Sequence, residues 1–183
     1  MSLESITLIS IGYFEKELLE MVVGDVEREF LLPVKTKEGH LYLSEFYDPA
    51  RRQYDGNRLI HEIDARFGSD TDKTIGLFNV DLYIPILTYI FGQAYLGGRS
   101  GIASIYRLSN ELYGIKADEK LFIDRIRKEV IHELGHTFGL IHCRNSDCVM
   151  RSSTYVEDID QKGAEFCGQC KAMFTVYLEK VRK

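Results

Sequence analysis

No apolar run in this chain exceeds strand length, and polar residues interrupt every longer stretch, so no segment reads as a membrane span. The start, Met1-Ser2-Leu3-Glu4-Ser5-Ile6, has no basic residues ahead of an apolar run and gives no sign of a secretory leader. A soluble, non-secreted, cytoplasmic protein without a membrane partner is therefore expected. A basic stripe is missing too. The formal charge is −5 with scattered positive residues, which argues against nucleic acid as a partner. Low-complexity tracts and solenoid-length repeats are also absent. What remains is 183 residues, 45% hydrophobic and 28% charged, an ordinary globular balance sized for one domain.

Residues Ser5 to Phe14 are rich in β-branched side chains and apolar on both faces, the pattern of a strand buried inside a sheet. Phe14, Leu18, Met21, Val22, Val26 and Phe30 then recur at helical spacing. Leu32 to Lys37 reads as a short strand, the stretch around Asp48-Pro49 as loop, and Asn57 to Phe67 as a helix. Strands are expected at Ile75 to Ile84 and, after the glycines at 97, 98 and 101, at Ile102 to Leu108. From Asp118 a helical period runs through Phe122, Ile126, Val130, Leu134 and Phe138 to Gly139, and a last helix is expected near Gln169 to Val181. Alternation of strands and helices makes the class α/β or α+β.

Within that long helix, residues 132 to 142 read His-Glu-Leu-Gly-His-Thr-Phe-Gly-Leu-Ile-His. At 3.6 residues per turn, His132 and His136 stack on one face and can reach one ion. Gly139 suits a left-handed residue that ends the helix and turns the chain, so that His142 can return to the same ion. Three nitrogens leave a fourth position open. Zinc in such a site lowers the pKa of bound water from about 15.7 to about 7, and Glu133, beside the first ligand, is placed to take the proton. Ordinary core or surface histidines would not explain three of the chain's five histidines at this spacing, with the glutamate and glycine in place. His40 and His61 do read as ordinary surface or structural residues.

Cys143, Cys148, Cys167 and Cys170 form C-x4-C followed by C-x2-C, a set that can close a structural tetrahedral zinc site at about 2.3 Å per bond. The alternatives are two disulfides, disfavoured without secretion, or one cluster joining all seven ligands. Since each set is complete alone, two zinc ions per chain is the simpler count.

The string HELGHTFGLIH, with the cysteines and Met150 that follow it, resembles the archaemetzincins, a branch of the metzincin metallopeptidases. Upstream, Asp81-Leu82-Tyr83 and Phe91-Gly92-Gln93-Ala94 are similar to family segments, so the likeness spans about Ile75 to Cys170. The resemblance implies catalytic zinc on His132, His136 and His142, Glu133 as general base and acid, and Met150 as the Met-turn residue beneath the histidines. It further implies a second, structural zinc on the four cysteines. The implied fold is a twisted mixed sheet with an active-site helix (about residues 1–141) and a small zinc-stabilised C-terminal subdomain (about 142–183), together one domain. Two departures stand out. Ser152 occupies the position two after the methionine where many metzincins carry tyrosine, the nearest tyrosine being Tyr155; and no cysteine precedes Cys143, so latency through a propeptide cysteine is not expected.

The function expected is therefore a zinc metallopeptidase acting on peptides or proteins, with substrate added as a strand to an edge near Phe91 to Gly97. A peptide-binding module that does not cut, and a hydrolase of small amides, are the alternatives. The sequence leaves substrate preference and oligomeric partners open.

Overall fold

The computed structural model describes residues 3–181. The first half contains β1 (Ser5–Ile11), α1 (Lys16–Phe30), β2 (Val34–Gly39), two short strands β3 (Tyr47–Asp48) and β4 (Gln53–Asp55), and α2 (Gly56–Phe67). Then come β5 (Asp72–Phe78), β6 (Leu82–Ile84), β7 (Leu87–Ile90), β8 (Gly92–Ala94) and β9 (Ser100–Ser104). Helices α3 (Glu119–Thr137), α4 (Val156–Gln161) and α5 (Gly168–Val181) complete the chain. This is the mixed α/β class expected from the alternating pattern.

The main sheet has the order β2-β1-β5-β9-β8, parallel except for β8, which runs antiparallel to β9 at one edge. Its central strands are buried on both sides because successive side chains face opposite layers. Ile6 and Leu8 of β1 join the core formed with α1 and α3, whereas Ile9 and Ile11 join the core formed with α2. Asp118 caps α3 by accepting a hydrogen bond from the Leu121 amide at 3.0 Å, which fixes where the long helix begins. Phe30, Phe138 and Phe174 pack ring to ring at 5.0–5.4 Å between centroids and tie α1, the end of α3 and α5 into one core.

Three expectations are corrected by the structure. The strand from Ser5 stops at Ile11, because Gly12 turns the chain with φ +90°. The run Ile75 to Ile84 is two strands in two sheets. The chain leaves the main sheet after Phe78, where the Val80 carbonyl accepts from Ser104 Oγ and the Asp81 carboxylate is held by Arg107. It then enters a second sheet of order β3-β4-β6-β7, so part of the presumed loop around Asp48-Pro49 is strand. The third concerns Ile102 to Leu108: β9 ends at Ser104, and Tyr106–Leu108 is a 3₁₀ turn. Among the described residues no helix is long and apolar enough to cross a membrane.

Candidate active site

The three histidines converge at the end of α3. His132 and His136 sit one turn apart with their Nε2 atoms 3.1 Å from each other. The helix ends in a Schellman turn: Gly139 has φ +81°, its amide donates to the His136 carbonyl at 2.9 Å, and the Leu140 amide donates to the Gly135 carbonyl at 3.0 Å. The chain therefore doubles back and brings His142 within 4.9 Å, centroid to centroid, of His136. One donor nitrogen from each histidine lies within 4.8 Å of the others.

Tautomers follow from the partners. His132 Nδ1 is 2.8 Å from the Val149 carbonyl and His136 Nδ1 is 2.7 Å from the Leu140 carbonyl. A carbonyl only accepts, so each Nδ1 carries the proton and each Nε2 presents a lone pair to the common point. Burial holds all three imidazoles below their usual basicity, most strongly His132, and the Lys162 charge adds to this. Neutral, oriented imidazoles suit a metal ion. The 3.1 Å separation is close to the about 3.3 Å edge expected for two nitrogens at about 2.05 Å on tetrahedral zinc.

Glu133 is 4% exposed, and its Oε2 is buried with no hydrogen-bond partner. A buried carboxylate oxygen without a protein partner, facing a cleft, leaves an acceptor open to a ligand, a water or a proton. Burial pushes the Glu133 carboxyl well up, and the like charge of Glu129, one turn earlier, pushes it further. Gly92 on β8 faces this group. A Cβ at Gly92 would lie 2.6 Å from Glu133 Cγ and 2.7 Å from the Ile102 carbonyl, so glycine is what lets the edge strand approach the carboxyl. The cleft between β8 and the histidines encloses about 610 Å³. Its walls are largely apolar and include the exposed Leu87, Leu96, Ile141 and Tyr155, together with Ser152.

Met150 is fully buried beneath the helix. Gly135 makes room for it, since a Cβ there would collide with Met150 Sδ. The cysteines form a second group, with Cys143 and Cys167 sulfurs 3.7 Å apart and Cys148 and Cys170 sulfurs also 3.7 Å apart. That spacing is the tetrahedral edge of about 3.8 Å for sulfurs at about 2.3 Å from one ion. Amides of Asn145 and Cys167 donate to Cys143 and Cys148 sulfurs at 3.4 and 3.3 Å, as thiolates require. The start of α5, through its Cys170 amide, pulls the Cys167 thiol down to about 7, while burial pushes Cys148 and Cys170 up.

The structure brings the three expected histidines together in one group and the four cysteines in another, with Glu133 lining the cleft, Met150 buried against α3 and Gly139 at the turn that ends it. His40 and His61 are exposed and stand apart from both. Sequence reasoning missed Gly92, Gly135, Glu129 and Lys162. Only Glu129 left a local signal, since it lies four residues before Glu133 on the same helical face.

Comparison with known proteins agrees with this geometry. The model of peptidase family M54 matches residues 12–175. The archaemetzincin of Thermococcus kodakarensis is 38% identical over 96% of this chain and 98% of its own length. The archaemetzincin of Haloquadratum walsbyi is 45% identical over 69% of this chain and 74% of its own. Among solved structures, archaemetzincin from Methanopyrus kandleri superposes with a TM-score of 0.82 at 30% identity, covering 96% of each chain. A zinc-dependent peptidase from Methanocorpusculum labreanum gives 0.80 at 30% identity, over 93% of this chain and all of that one. Fold, site and likeness together define a zinc-dependent metallopeptidase. Within that class, the chain belongs to the archaemetzincins, peptidase family M54.

Proposed function

We propose that this chain hydrolyses peptide bonds at the three-histidine site, as a member of the metzincin clan with Met150 in the Met-turn place. His132, His136 and His142 would hold a catalytic zinc, and Cys143, Cys148, Cys167 and Cys170 a second, structural one. The observation that carries the reading is the unpartnered Glu133 Oε2 beside three converging histidine nitrogens. Bound there, the ion supplies Lewis-acid polarisation of the scissile carbonyl and acidifies water.

The rest belongs to the chain. An extended substrate segment would add to the free side of β8, its backbone pairing with the edge while side chains alternate between the apolar walls and solvent. Glu133 would take a proton from the attacking water and deliver it to the leaving amine nitrogen, one carboxyl serving first as base and then as acid. His132 and His136 stay neutral throughout, locked by the Val149 and Leu140 carbonyls.

Elemental analysis of protein purified without added metal should find close to two zinc ions per chain. Glu133→Gln should keep both and lower amide hydrolysis by about 10²- to 10⁴-fold, measured with a peptide library and with small amides. Binding of peptides without cleavage by the zinc-loaded wild type would replace this reading with that of a peptide-binding module. Turnover of small amides alone would make it an amidohydrolase.

A further inference from the structure

The Glu29 carboxylate stands where an acid is disfavoured twice over. It is the last residue but one of α1, at the negative end of the helix dipole, and it is only 8% exposed. A carboxylate placed there needs strong partners, and Glu29 finds them far along the chain. Its Oε1 accepts from the Phe166 amide at 3.0 Å and from the Lys171 ammonium at 3.2 Å. Lys171 also donates to the Glu29 carbonyl at 2.8 Å, in the last turn of α1. The reaction at the histidines uses none of these groups.

The two partners bracket one pair of cysteines. Phe166 immediately precedes Cys167 and Lys171 immediately follows Cys170, so a single carboxylate holds both ends of the C-x2-C corner. Inside the bracket, the Lys171 amide donates to the Cys167 carbonyl at 2.9 Å and closes the first turn of α5 over the pair. The Phe166 ring meets that of Phe30, the neighbour of Glu29, edge to face at 5.4 Å, so packing favours the same alignment. Successive amides then take different acceptors: that of Phe166 donates to Glu29, and that of Cys167 donates to the Cys148 sulfur at 3.3 Å. Fixing the first peptide aims the second at a sulfur.

We propose that Glu29 is a positioning residue for the cysteine centre, fastening the Cys167–Cys170 pair to α1 as a half-site formed before the ion binds. Each residue fixed beforehand is one the ion need not order, so the clamp raises metal affinity at the cysteines and leaves the histidines untouched. Lys171 completes the clamp by neutralising the carboxylate and tying α5 to the end of α1. Among the described residues, neither Glu29 nor Lys171 forms a hydrogen bond to the loop carrying Cys143 and Cys148. That second half is left for the ion to gather. The inference rests on the reading of the four cysteines as a metal site and is independent of what the cleft cuts.

The test uses the full chain with Co²⁺ exchanged for zinc, because thiolate-to-cobalt charge-transfer absorption reports the cysteine site alone. Wild type, Glu29→Ala, Glu29→Gln and Lys171→Met are equilibrated at a series of chelator-buffered free cobalt concentrations, and total bound cobalt gives the histidine site by difference. Glu29→Ala should raise the free cobalt needed to half-fill the cysteine site by about 10- to 100-fold, with the histidine site within about threefold of wild type. Glu29→Gln keeps an acceptor for the Phe166 amide without the charge, and Lys171→Met keeps the carboxylate without its ammonium. Each should raise the cysteine midpoint by about two- to tenfold. Should Glu29→Ala not fold, these two milder variants decide by the same comparison. An unchanged cysteine midpoint in the variants overturns the proposal, and so does an equal shift at both sites, which would make Glu29 a support of the fold alone. Wild type that binds cobalt without the charge-transfer absorption would instead remove the metal reading of the cysteines, and this inference with it.

Discussion

The histidine group and the cysteine group lie side by side, but the chain builds them in opposite ways. Two histidines belong to one helix whose apolar face is already buried in the main core, and the third arrives by a turn with its own hydrogen bonds. Their arrangement is a product of the fold. The four cysteines come from a loop, its return and the start of α5, pieces related by the sulfur-to-sulfur spacing and by a few backbone bonds such as that from the Val149 amide to the Glu165 carbonyl at 3.0 Å. There, under the proposed ligation, the ion organises the chain. An open site can be set up by packing alone, whereas a closed site among loops depends on its centre.

The largest effect that could break this contrast is on stability. Structural zinc contributes about 10 to 16 kcal/mol in isolated zinc-finger peptides, while a whole domain retains about 5 to 15 kcal/mol. Cys170→Ser should therefore lower the melting temperature far more than His142→Ala, by an amount that removes folding of the C-terminal segment. Equal losses in thermal unfolding would mean that both sites are structural, and the contrast would collapse.

A smaller effect should appear at the boundary. Met150 packs under α3 against Gly135, and its carbonyl accepts from the Cys143 amide at 2.9 Å, so it touches both groups. Met150→Ala should cost about 2 to 5 kcal/mol in urea unfolding, against less than about 1.5 kcal/mol for Met150→Leu, which keeps the volume. A cost for alanine no greater than that for leucine would show that the methionine fills no essential space.

The smallest effect concerns pH on the histidine side. Lys73 reaches the end of α3, donating to the Thr137 carbonyl at 2.9 Å, the Gly98 carbonyl at 2.7 Å and Tyr177 Oη at 2.8 Å. Burial pulls its ammonium down to about 8 despite these acceptors. In the unfolded chain the value is about 10.4, so between about 8 and about 10.4 the unfolded state binds more protons and stability rises with pH. Below about 8 both states are protonated and the slope from this group vanishes. Relative to Lys73→Met, wild type should gain stability across that alkaline window in denaturant titrations; a flat difference would show that Lys73 is not desolvated.

What could be read from the sequence follows the same divide. Residues 118 to 139 announce their helix by cap, period and terminal glycine, and the histidine group and each cysteine pair stand out because short spacings mark them. The second sheet was not legible. Its strands are two to four residues long, and the break between Phe78 and Leu82 depends on Ser104 and Arg107, more than twenty residues away. Lys162 was hidden for the same reason: nothing beside it in the chain shows that it will be buried next to His132. Gly92 was legible only as part of the expected edge strand, because the carboxyl it faces is brought there by the fold.

One peptide bond separates His142 from Cys143, and that adjacency has a kinetic meaning. His142 is exposed and lies past the turn that ends α3, so of the three histidines it is the one held least by the helix itself. Once Cys143 is anchored, His142 is tethered by a single residue, and its effective concentration at the helix rises steeply. Under the proposed ligation, whatever holds Cys143 would also hold His142 beside the helix, so the two groups are coupled through one peptide bond.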